Sequence, residues 1–269
     1  MTRRPAANSA KLHLELAHTL ADQSAKAILP HFRKVIPVDN KAAGRDFDPV
    51  TQADQAAERA IVRILSKRCP DHGIIGEEFG TVRPEARFQW VIDPIDGTRG
   101  FIMGTPMWGT LIGLLEDGEP ILGIMNQPYT GERFWTDGAA SFFKGPSGRA
   151  KRLATRPCKR MGDALVMTTN PELFAKGAEM EAFVRVRSET RMTRYGGDCY
   201  AYCMLASGFV DVIVETGLKT YDVAALIPIV EKAGGRFTSW DGGPATDGGQ
   251  IVASGDPALH ERVLKLLNR

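Results

Sequence analysis

The chain of 269 residues has few cysteines, almost no net charge and no long apolar run. Its four cysteines, Cys69, Cys158, Cys199 and Cys203, form neither a C-x-x-C pair nor a disulfide-like framework. We therefore predict free thiols in a reducing cytoplasm. No apolar run approaches a membrane span, and the segment after the basic N-terminus is too often interrupted by charges to be a signal-peptide core. The net charge of +2 gives no reason to expect a nucleic-acid or membrane partner.

The remaining composition is that of an ordinary soluble globular protein, with 43% hydrophobic and 25% charged residues. The length allows one large domain or two closely packed ones. Periodicity and turn signals predict a mixture of strands and helices, and therefore an α/β (α+β) fold. Helices are predicted at residues 9–35, 51–69, 171–187, 199–207, 222–233 and 259–267. Strands are predicted at 73–76, 88–92, 108–115, 119–127, 134–135, 142–143, 164–168, 210–214 and 251–254.

The most informative stretch is FQWVIDPIDGTRG at residues 88–100. A buried strand is predicted to end here, because Pro94 lacks the N–H group that would continue the sheet ladder. Asp93 and Asp96 follow the strand on either side of the proline turn. Both carboxylates, with a backbone carbonyl between them, can then face one point, and hard cations such as Mg²⁺ prefer such oxygen ligands.

Gly97 and Thr98 come directly after the second carboxylate. Gly97 permits a tight turn and a close approach of the backbone to a ligand. If the two residues open a helix, their N–H groups can donate to a phosphate. The alternative is an acidic turn in which an aspartate caps a helix. A bare D-x-x-D pattern would more often be such a cap, but the full D-P-I-D-G-T string is far more specific.

That string resembles the signature of the inositol monophosphatase superfamily of metal-dependent phosphatases. The block Gly76-Glu77-Glu78 before this string and the block 221–225 (YDVAA) after it appear in the family's order. The resemblance runs from about residue 10 to the end. It implies a layered αβαβα sandwich with halves at 1–150 and 151–269. It also implies a homodimer and inhibition by Li⁺.

The resemblance further implies a set of metal ligands that holds two or three Mg²⁺ ions. One ion would take Glu77, Asp93 and the carbonyl of Ile95, and another would take Asp93, Asp96 and Asp222. A solvated acidic turn is the alternative for Glu77 and Glu78.

Further roles are implied for the residues around the reacting phosphate. Thr98, Glu77 and Asp48 would orient the attacking water, which the metal activates, and the N–H groups of Gly97 and Thr98 would bind phosphate oxygens. For Thr51 and Asp54, helix capping is the favoured interpretation.

Two departures from the inositol phosphatase pattern concern the substrate. Arg-Gly-Phe at 99–101 and the block YGGDCYAY at 195–202 resemble the inositol-monophosphatase-like histidinol-phosphate phosphatases. The substrate-binding residues implied are Arg194, Gly197, Asp198 and Glu215. Histidinol phosphate carries an ammonium group where inositol presents hydroxyls, so an added carboxylate favours the amine. Asp198 as a helix N-cap is the alternative, and both roles can coexist.

The leading hypothesis is a Mg²⁺-dependent histidinol-phosphate phosphatase of histidine biosynthesis, acting on a small phosphate monoester. A phosphatase for inositol 1-phosphate or a broad range of sugar phosphates is second. A non-catalytic binding module of the same fold is remote, because all four metal carboxylates are present.

Overall fold

The computed structural model of the protein describes residues 7–41 and 49–269. Its helices are α1 Ala7–Ile28, α2 Gln52–Arg68, α3 Thr98–Ile102, α4 Ala178–Glu189, α5 Asp198–Ala206, α6 Thr220–Val223, α7 Leu226–Lys232 and α8 Pro257–Leu267. Short 3₁₀ turns cover Met161–Asp163 and Pro171–Leu173. None of the helices in these two ranges is both long enough and apolar enough to cross a membrane.

The strands form one hairpin and two larger sheets. They are β1 Val38–Asn40, β2 Pro49–Thr51, β3 Gly73–Gly76, β4 Gly80–Val82, β5 Phe88–Asp96, β6 Gly109–Glu116, β7 Glu119–Gln127, β8 Glu132–Thr136, β9 Ser141–Lys144, β10 Lys151–Arg152, β11 Leu165–Thr168, β12 Met192–Tyr195, β13 Val212–Leu218, β14 Arg236–Ser239 and β15 Gly249–Ser254. The large sheet has the order β10-β9-β8-β7-β6-β5-β3-β4, and the small one β12-β11-β13-β15-β14. Within the described ranges, only β3–β5, β11–β12 and β11–β13 pair in parallel.

Helices α1 and α2 cover one face of the large sheet. Leu20 and Ile61 on these helices are fully buried in one cluster with Trp90 and Ile112 of the sheet. Each helix carries its apolar residues on one stripe, so burial of that stripe is what orders it against the sheet.

Two further helical layers enclose the small sheet. Helices α5 and α7 fill the space between the two sheets, where Leu205 and Ile229 are fully buried. Helices α4 and α8 cover the outer face, where Phe183 and Val263 pack with Val212 of β13. The layered αβαβα prediction is therefore confirmed. The division at residue 150 stays a prediction, and the large sheet extends just beyond it, to Arg152.

Three predicted helices differ from the observed ones because of proline or glycine. Helix α1 ends at Ile28. The next residue, Leu29, precedes Pro30, and the proline ring disfavours the helical conformation of the residue before it. The segment 171–187 is a 3₁₀ turn followed by α4, which begins after Gly177 at φ +90°. The segment 222–233 is divided into α6 and α7, because Pro228 cannot donate to the carbonyl of Ala224.

Six strands were not predicted, and all six lie at sheet edges. They are β1, β2, β4, β10, β12 and β14. Edge strands are short and need not carry the alternating apolar pattern of a central strand. All three residues of β4 are exposed, and no residue of β12 is buried. Their positions are fixed by pairing with a neighbour, which the local sequence does not reveal.

One buried histidine gives the fold a pH-dependent element. His260 of α8 is 2% exposed, with Nε2 2.9 Å from Thr238 Oγ1 and Nδ1 3.2 Å from Ser254 Oγ. Burial lowers its pKa to about 4. An unfolded histidine has a pKa of about 6.5, so the unfolded chain takes up this proton first as the pH falls.

We therefore predict that His260→Gln weakens the loss of stability in acid. Between pH 7 and pH 4.5 the wild type should lose about 2 kcal/mol more unfolding free energy than the variant, because only the wild type pays to keep His260 neutral. Urea denaturation at the two pH values measures this difference. The other titratable groups are common to both proteins and cancel. A difference in unfolding free energy that does not change with pH would contradict the prediction.

Candidate active site

The site begins at the end of β5, where the strand is irregular. Pairing with β6 is regular up to Asp93, shifts register, and resumes at Asp96 opposite Gly109. The prediction that Pro94 ends the ladder was wrong. The missing N–H group leaves an irregularity that the sheet tolerates, and the Pro94 carbonyl accepts a hydrogen bond from Thr110 Oγ1 at 2.8 Å. The two aspartates therefore leave the sheet from an interrupted strand rather than from a turn.

Three aspartates meet where this strand faces the first turn of α6. Asp93, Asp96 and Asp222 each offer one carboxylate oxygen, and these oxygens all lie within 4.8 Å of one another. They line a cleft of about 340 Å³ between the two sheets. The family resemblance implied that Asp222 lies close to Asp93 and Asp96.

Burial and mutual repulsion disfavour the charged forms of these groups. Asp93 is 2% exposed, and its pKa is raised well above the usual range by burial and then by the negative charges of Glu77, Asp96 and Asp222. Burial also raises the pKa of Asp96, with Asp198 and Asp222 adding to the effect. Burial raises the pKa of Asp222 to about 7. Such a group of carboxylates favours a bound cation.

Backbone N–H groups hold two of the three aspartates in place. Asp96 Oδ2 accepts from the N–H of Cys199, at the start of α5, at 2.7 Å. Asp222 Oδ2 accepts from the N–H of Lys219 at 2.6 Å. The third is different, because Oδ1 of Asp93 is buried and has no hydrogen-bond partner within the described ranges. Orphaned buried oxygens are rare in proteins.

These observations fit a divalent cation. The donors are hard carboxylate oxygens in close proximity, one of them lacks a partner, and Mg²⁺ prefers such ligands. The cluster of Asp93, Asp96 and Asp222 could therefore hold a metal ion.

Glu77 lines the same cleft but is bound to a lysine. It follows β3, and its N–H donates to the carbonyl of Ile92 at 3.2 Å. Lys41 Nζ lies 2.9 Å from Glu77 Oε1 and 2.6 Å from Glu78 Oε1. Burial alone would lower the pKa of Lys41, but the two glutamates outweigh it and raise the pKa. Lys41 was not predicted from the sequence.

A buried glutamate shapes the turn that carries Glu77. Glu58 of α2 is fully buried and accepts hydrogen bonds from the N–H groups of Glu78 (2.9 Å) and Phe79 (3.0 Å). Gly76 makes room for it, since a Cβ at that position would lie 1.9 Å from Glu58 Oε1. Glu58 lies four residues after Asp54 and three before Ile61, on the buried face of α2. A charged residue on a face predicted to be buried is unusual, and this could have identified Glu58 from the sequence.

Gly97 and Thr98 lie at the floor of the cleft. Gly97 adopts φ +83° as the N-cap of α3, and a Cβ there would lie 2.7 Å from the carbonyl oxygen of Met107. Thr98 begins the helix, as predicted, and its hydroxyl donates to the carbonyl of Ile95 at 3.0 Å. Ile95, whose carbonyl accepts that hydrogen bond, is fully buried.

A second pair of carboxylates, Asp198 and Glu215, lines the same cleft. Glu215 of β13 is 2% exposed and accepts from the N–H (2.7 Å) and hydroxyl (3.0 Å) of Thr169. Burial raises the pKa of Glu215 to about 8. Burial also raises the pKa of Asp198 to about 6, against the opposing effect of Arg99. Asp198, at φ +45°, begins α5.

Among the described residues, Arg194 and Gly197 are not part of the cleft lining. Arg194 is exposed on edge strand β12. Gly197 is the buried N-cap of α5, where it sets the position of Asp198. Asp48 lies outside the described residues. Thr51 and Asp54 form the capping box of α2, as favoured from the sequence.

Thr169 and Tyr202 are among the lining residues that the sequence analysis did not identify. Thr169 follows β11 and carried no local signal. Tyr202 is buried on α5, and its hydroxyl has no hydrogen-bond partner among the residues described. A tyrosine in the nearly apolar helix DCYAYCMLA was a usable signal, because a buried hydroxyl requires a partner.

Comparison with known proteins gives the class of this fold and site. The model of the inositol monophosphatase family matches residues 11–269. A solved structure of an inositol monophosphatase from Zymomonas mobilis covers 99% of this chain and 100% of its own, with 43% identity and a TM-score of 0.86. The bifunctional phosphatase IMPL2 of Arabidopsis thaliana is 42% identical over 94% of this chain and 74% of its own length. The histidinol-phosphatase of Mycobacterium tuberculosis is 35% identical over 95% of this chain and 97% of its own length.

The fold and the acidic cleft are thus those of a metal-dependent phosphatase. The chain belongs to the inositol monophosphatase family.

We predict that Asp93→Asn removes the stabilisation of the protein by Mg²⁺. A ligand at about a hundred times its Kd adds about 2.7 kcal/mol to the unfolding free energy, and the variant should gain less than about 1 kcal/mol under the same conditions. Turnover should be abolished while the fold remains intact. Thermal unfolding in EDTA and in Mg²⁺ measures the gain.

Asp163→Asn is the matched control. It removes the same charge from an exposed aspartate that pairs with Arg160, far from the cleft lining. This variant should gain stability from Mg²⁺ as the wild type does. Equal stabilisation of Asp93→Asn and the wild type would contradict the assignment of the aspartate cluster.

Proposed function

We propose that the protein is a Mg²⁺-dependent phosphatase that hydrolyses L-histidinol phosphate to L-histidinol and phosphate. The observation that carries this proposal is the second pair of carboxylates, Asp198 and Glu215, in the cleft of the aspartate cluster. The reaction would serve histidine biosynthesis.

The metal end of the cleft would hold the ions through five residues. They are Glu77, Asp93, Asp96 and Asp222 through their carboxylates, and Ile95 through its carbonyl. When bound, divalent cations neutralise the charge of a phosphate monoester, lower the pKa of water and stabilise the departing alkoxide. Glu77 would exchange the ammonium of Lys41 for a metal ion, which is consistent with their 2.9 Å contact.

Gly97 and Thr98 would act on the phosphate and on water. Their N–H groups lie at the start of α3 and would donate to phosphate oxygens. The Thr98 hydroxyl would hold the attacking water, with Glu77 and Asp48 as its other partners. In the structure the Thr98 hydroxyl donates to the carbonyl of Ile95, which is one of the metal ligands in this proposal.

Asp198 and Glu215 would select a cationic alcohol. A buried carboxylate without a counter-ion is costly, and the pKa of Glu215 near 8 reflects that cost. An ammonium group in the cleft would restore the charged form and gain charge-assisted hydrogen bonds. Inositol offers only hydroxyls and would leave Glu215 without a counter-ion. The cleft volume of about 340 Å³ suits a small monoester.

The names of several relatives support this substrate. Proteins called histidinol-phosphatase from Mycobacterium tuberculosis, Streptomyces coelicolor and Chlorobaculum parvum are 34–37% identical to this chain and are covered over 95% or more of their length. The second candidate is inositol 1-phosphate or a range of sugar phosphates, favoured by the likeness to the Zymomonas mobilis inositol monophosphatase. A cytoplasmic homodimer inhibited by Li⁺ stays a prediction.

The substrates can be separated by their rates of phosphate release in Mg²⁺. We expect kcat/KM for L-histidinol phosphate to exceed that for inositol 1-phosphate and neutral sugar phosphates by about a hundredfold. That ratio corresponds to about 2.7 kcal/mol of transition-state discrimination.

The variant Glu215→Gln connects this preference to the site. It keeps an oxygen that can accept from Thr169 but removes the charge, so it should reduce the preference and leave the rate with inositol 1-phosphate nearly unchanged. Equal kcat/KM values for all substrates in the wild type, or a higher value for inositol 1-phosphate, would contradict the histidinol phosphate assignment. Neither result would contradict the metal site.

A further inference from the structure

The hydroxyl of Tyr202 is a buried polar group to which none of the described residues is hydrogen-bonded. The residue is 3% exposed and lines the cleft. Its oxygen has no hydrogen-bond partner in the part of the chain described. Buried tyrosine hydroxyls are normally bonded, so an unpaired one at the wall of a cleft indicates a position where a ligand atom bonds.

The position of this hydroxyl is fixed by the packing around its ring. The ring stacks on Phe237 with centroids 5.4 Å apart and an interplanar angle of 21°. Its helix, α5, is bound at its first turn to Asp96 through the N–H of Cys199 at 2.7 Å. The hydroxyl therefore cannot move far to find another partner, and the ligand must come to it.

The charges around Tyr202 indicate what kind of ligand atom this is. Burial raises the pKa of the phenol, and the negative charges of Glu215, Asp96 and Asp222 raise it further. The hydroxyl thus stays neutral at physiological pH and lies in a region lined by carboxylates. Such a region attracts a cationic nitrogen, and the phenol oxygen has lone pairs to accept from it.

An ammonium group has three N–H donors and is fully satisfied only by three acceptors. Asp198 and Glu215 provide two carboxylates in the proposed function. We infer that the Tyr202 hydroxyl is the third acceptor for the substrate's amine, and that it is a specificity-determining residue for aminoalkyl phosphates. This inference rests on the proposed function, because it assumes that the amine is what Asp198 and Glu215 bind.

The test removes the hydroxyl and the amine in turn. Tyr202→Phe keeps the ring that stacks on Phe237 and deletes only the oxygen. Each protein is assayed with L-histidinol phosphate and with 3-(imidazol-4-yl)propyl phosphate, which lacks the amine. Loss of a hydrogen bond to a charged group predicts a fall in kcat/KM of about 10- to 100-fold with L-histidinol phosphate. With the amine-free substrate the change should be within about twofold, because there is no N–H for the hydroxyl to accept.

Tyr200→Phe is the matched control on the same helix. Its hydroxyl donates to Glu132 Oε2 at 2.9 Å and is not part of the cleft lining. This variant should leave the ratio of the two kcat/KM values unchanged, even if the protein becomes less stable. Thermal unfolding of both variants confirms that they are folded in the assay.

Two results would overturn the inference while the proposed function stands. One is an equal loss with both substrates in Tyr202→Phe, which would mean that the hydroxyl only supports the structure. The other is no loss with either, which would mean that it binds water. If the wild-type protein itself shows no preference for the amine-bearing substrate, the proposed function fails before any variant is compared.

Discussion

The mutual repulsion of carboxylates in one buried cleft is the constraint on which the rest of the structure depends. Three aspartate oxygens lie within 4.8 Å of one another, and Glu77, Asp198 and Glu215 line the same space. Like charges at this separation cannot all remain ionised without a counter-ion. The protein partly compensates with backbone N–H groups and with Lys41, while Asp93 Oδ1 has no partner among the described residues. The cleft therefore favours the binding of cations.

The layered fold is what brings these groups together. Asp93 and Asp96 come from the large sheet, Glu215 from the small one, and Asp198 and Asp222 from the helices between them. The hydrogen bond from Cys199 to Asp96 joins the start of α5 directly to the end of β5. Packing of the two sheets on the shared helical layer thus sets the distance between the aspartate cluster and Glu215. A substitution that loosened this layer would disturb both at once.

The parts of the site that the sequence predicts are those written in contiguous motifs. Asp93, Asp96, Gly97 and Thr98 occur in one string, and the apolar run before them was enough to place this string at the end of a strand. Pro94 was misjudged, because whether a sheet tolerates a missing N–H depends on the neighbouring strand. Lys41, Glu58 and Tyr202 were missed for a similar reason. Their roles arise from contacts between distant segments, such as Lys41 with Glu77, and these contacts exist only once the layers have packed.

We propose that the cleft divides its carboxylates between metal ions and an organic cation. A crystal structure with Mn²⁺ and L-histidinol, with the Mn²⁺ located by anomalous scattering, tests this division. We expect anomalous peaks only among Glu77, Asp93, Asp96 and Asp222, with the amine of L-histidinol between Asp198 and Glu215. A Mn²⁺ peak on Asp198 or Glu215, or an amine bound elsewhere, would show that the two groups of carboxylates are not divided between metal and substrate.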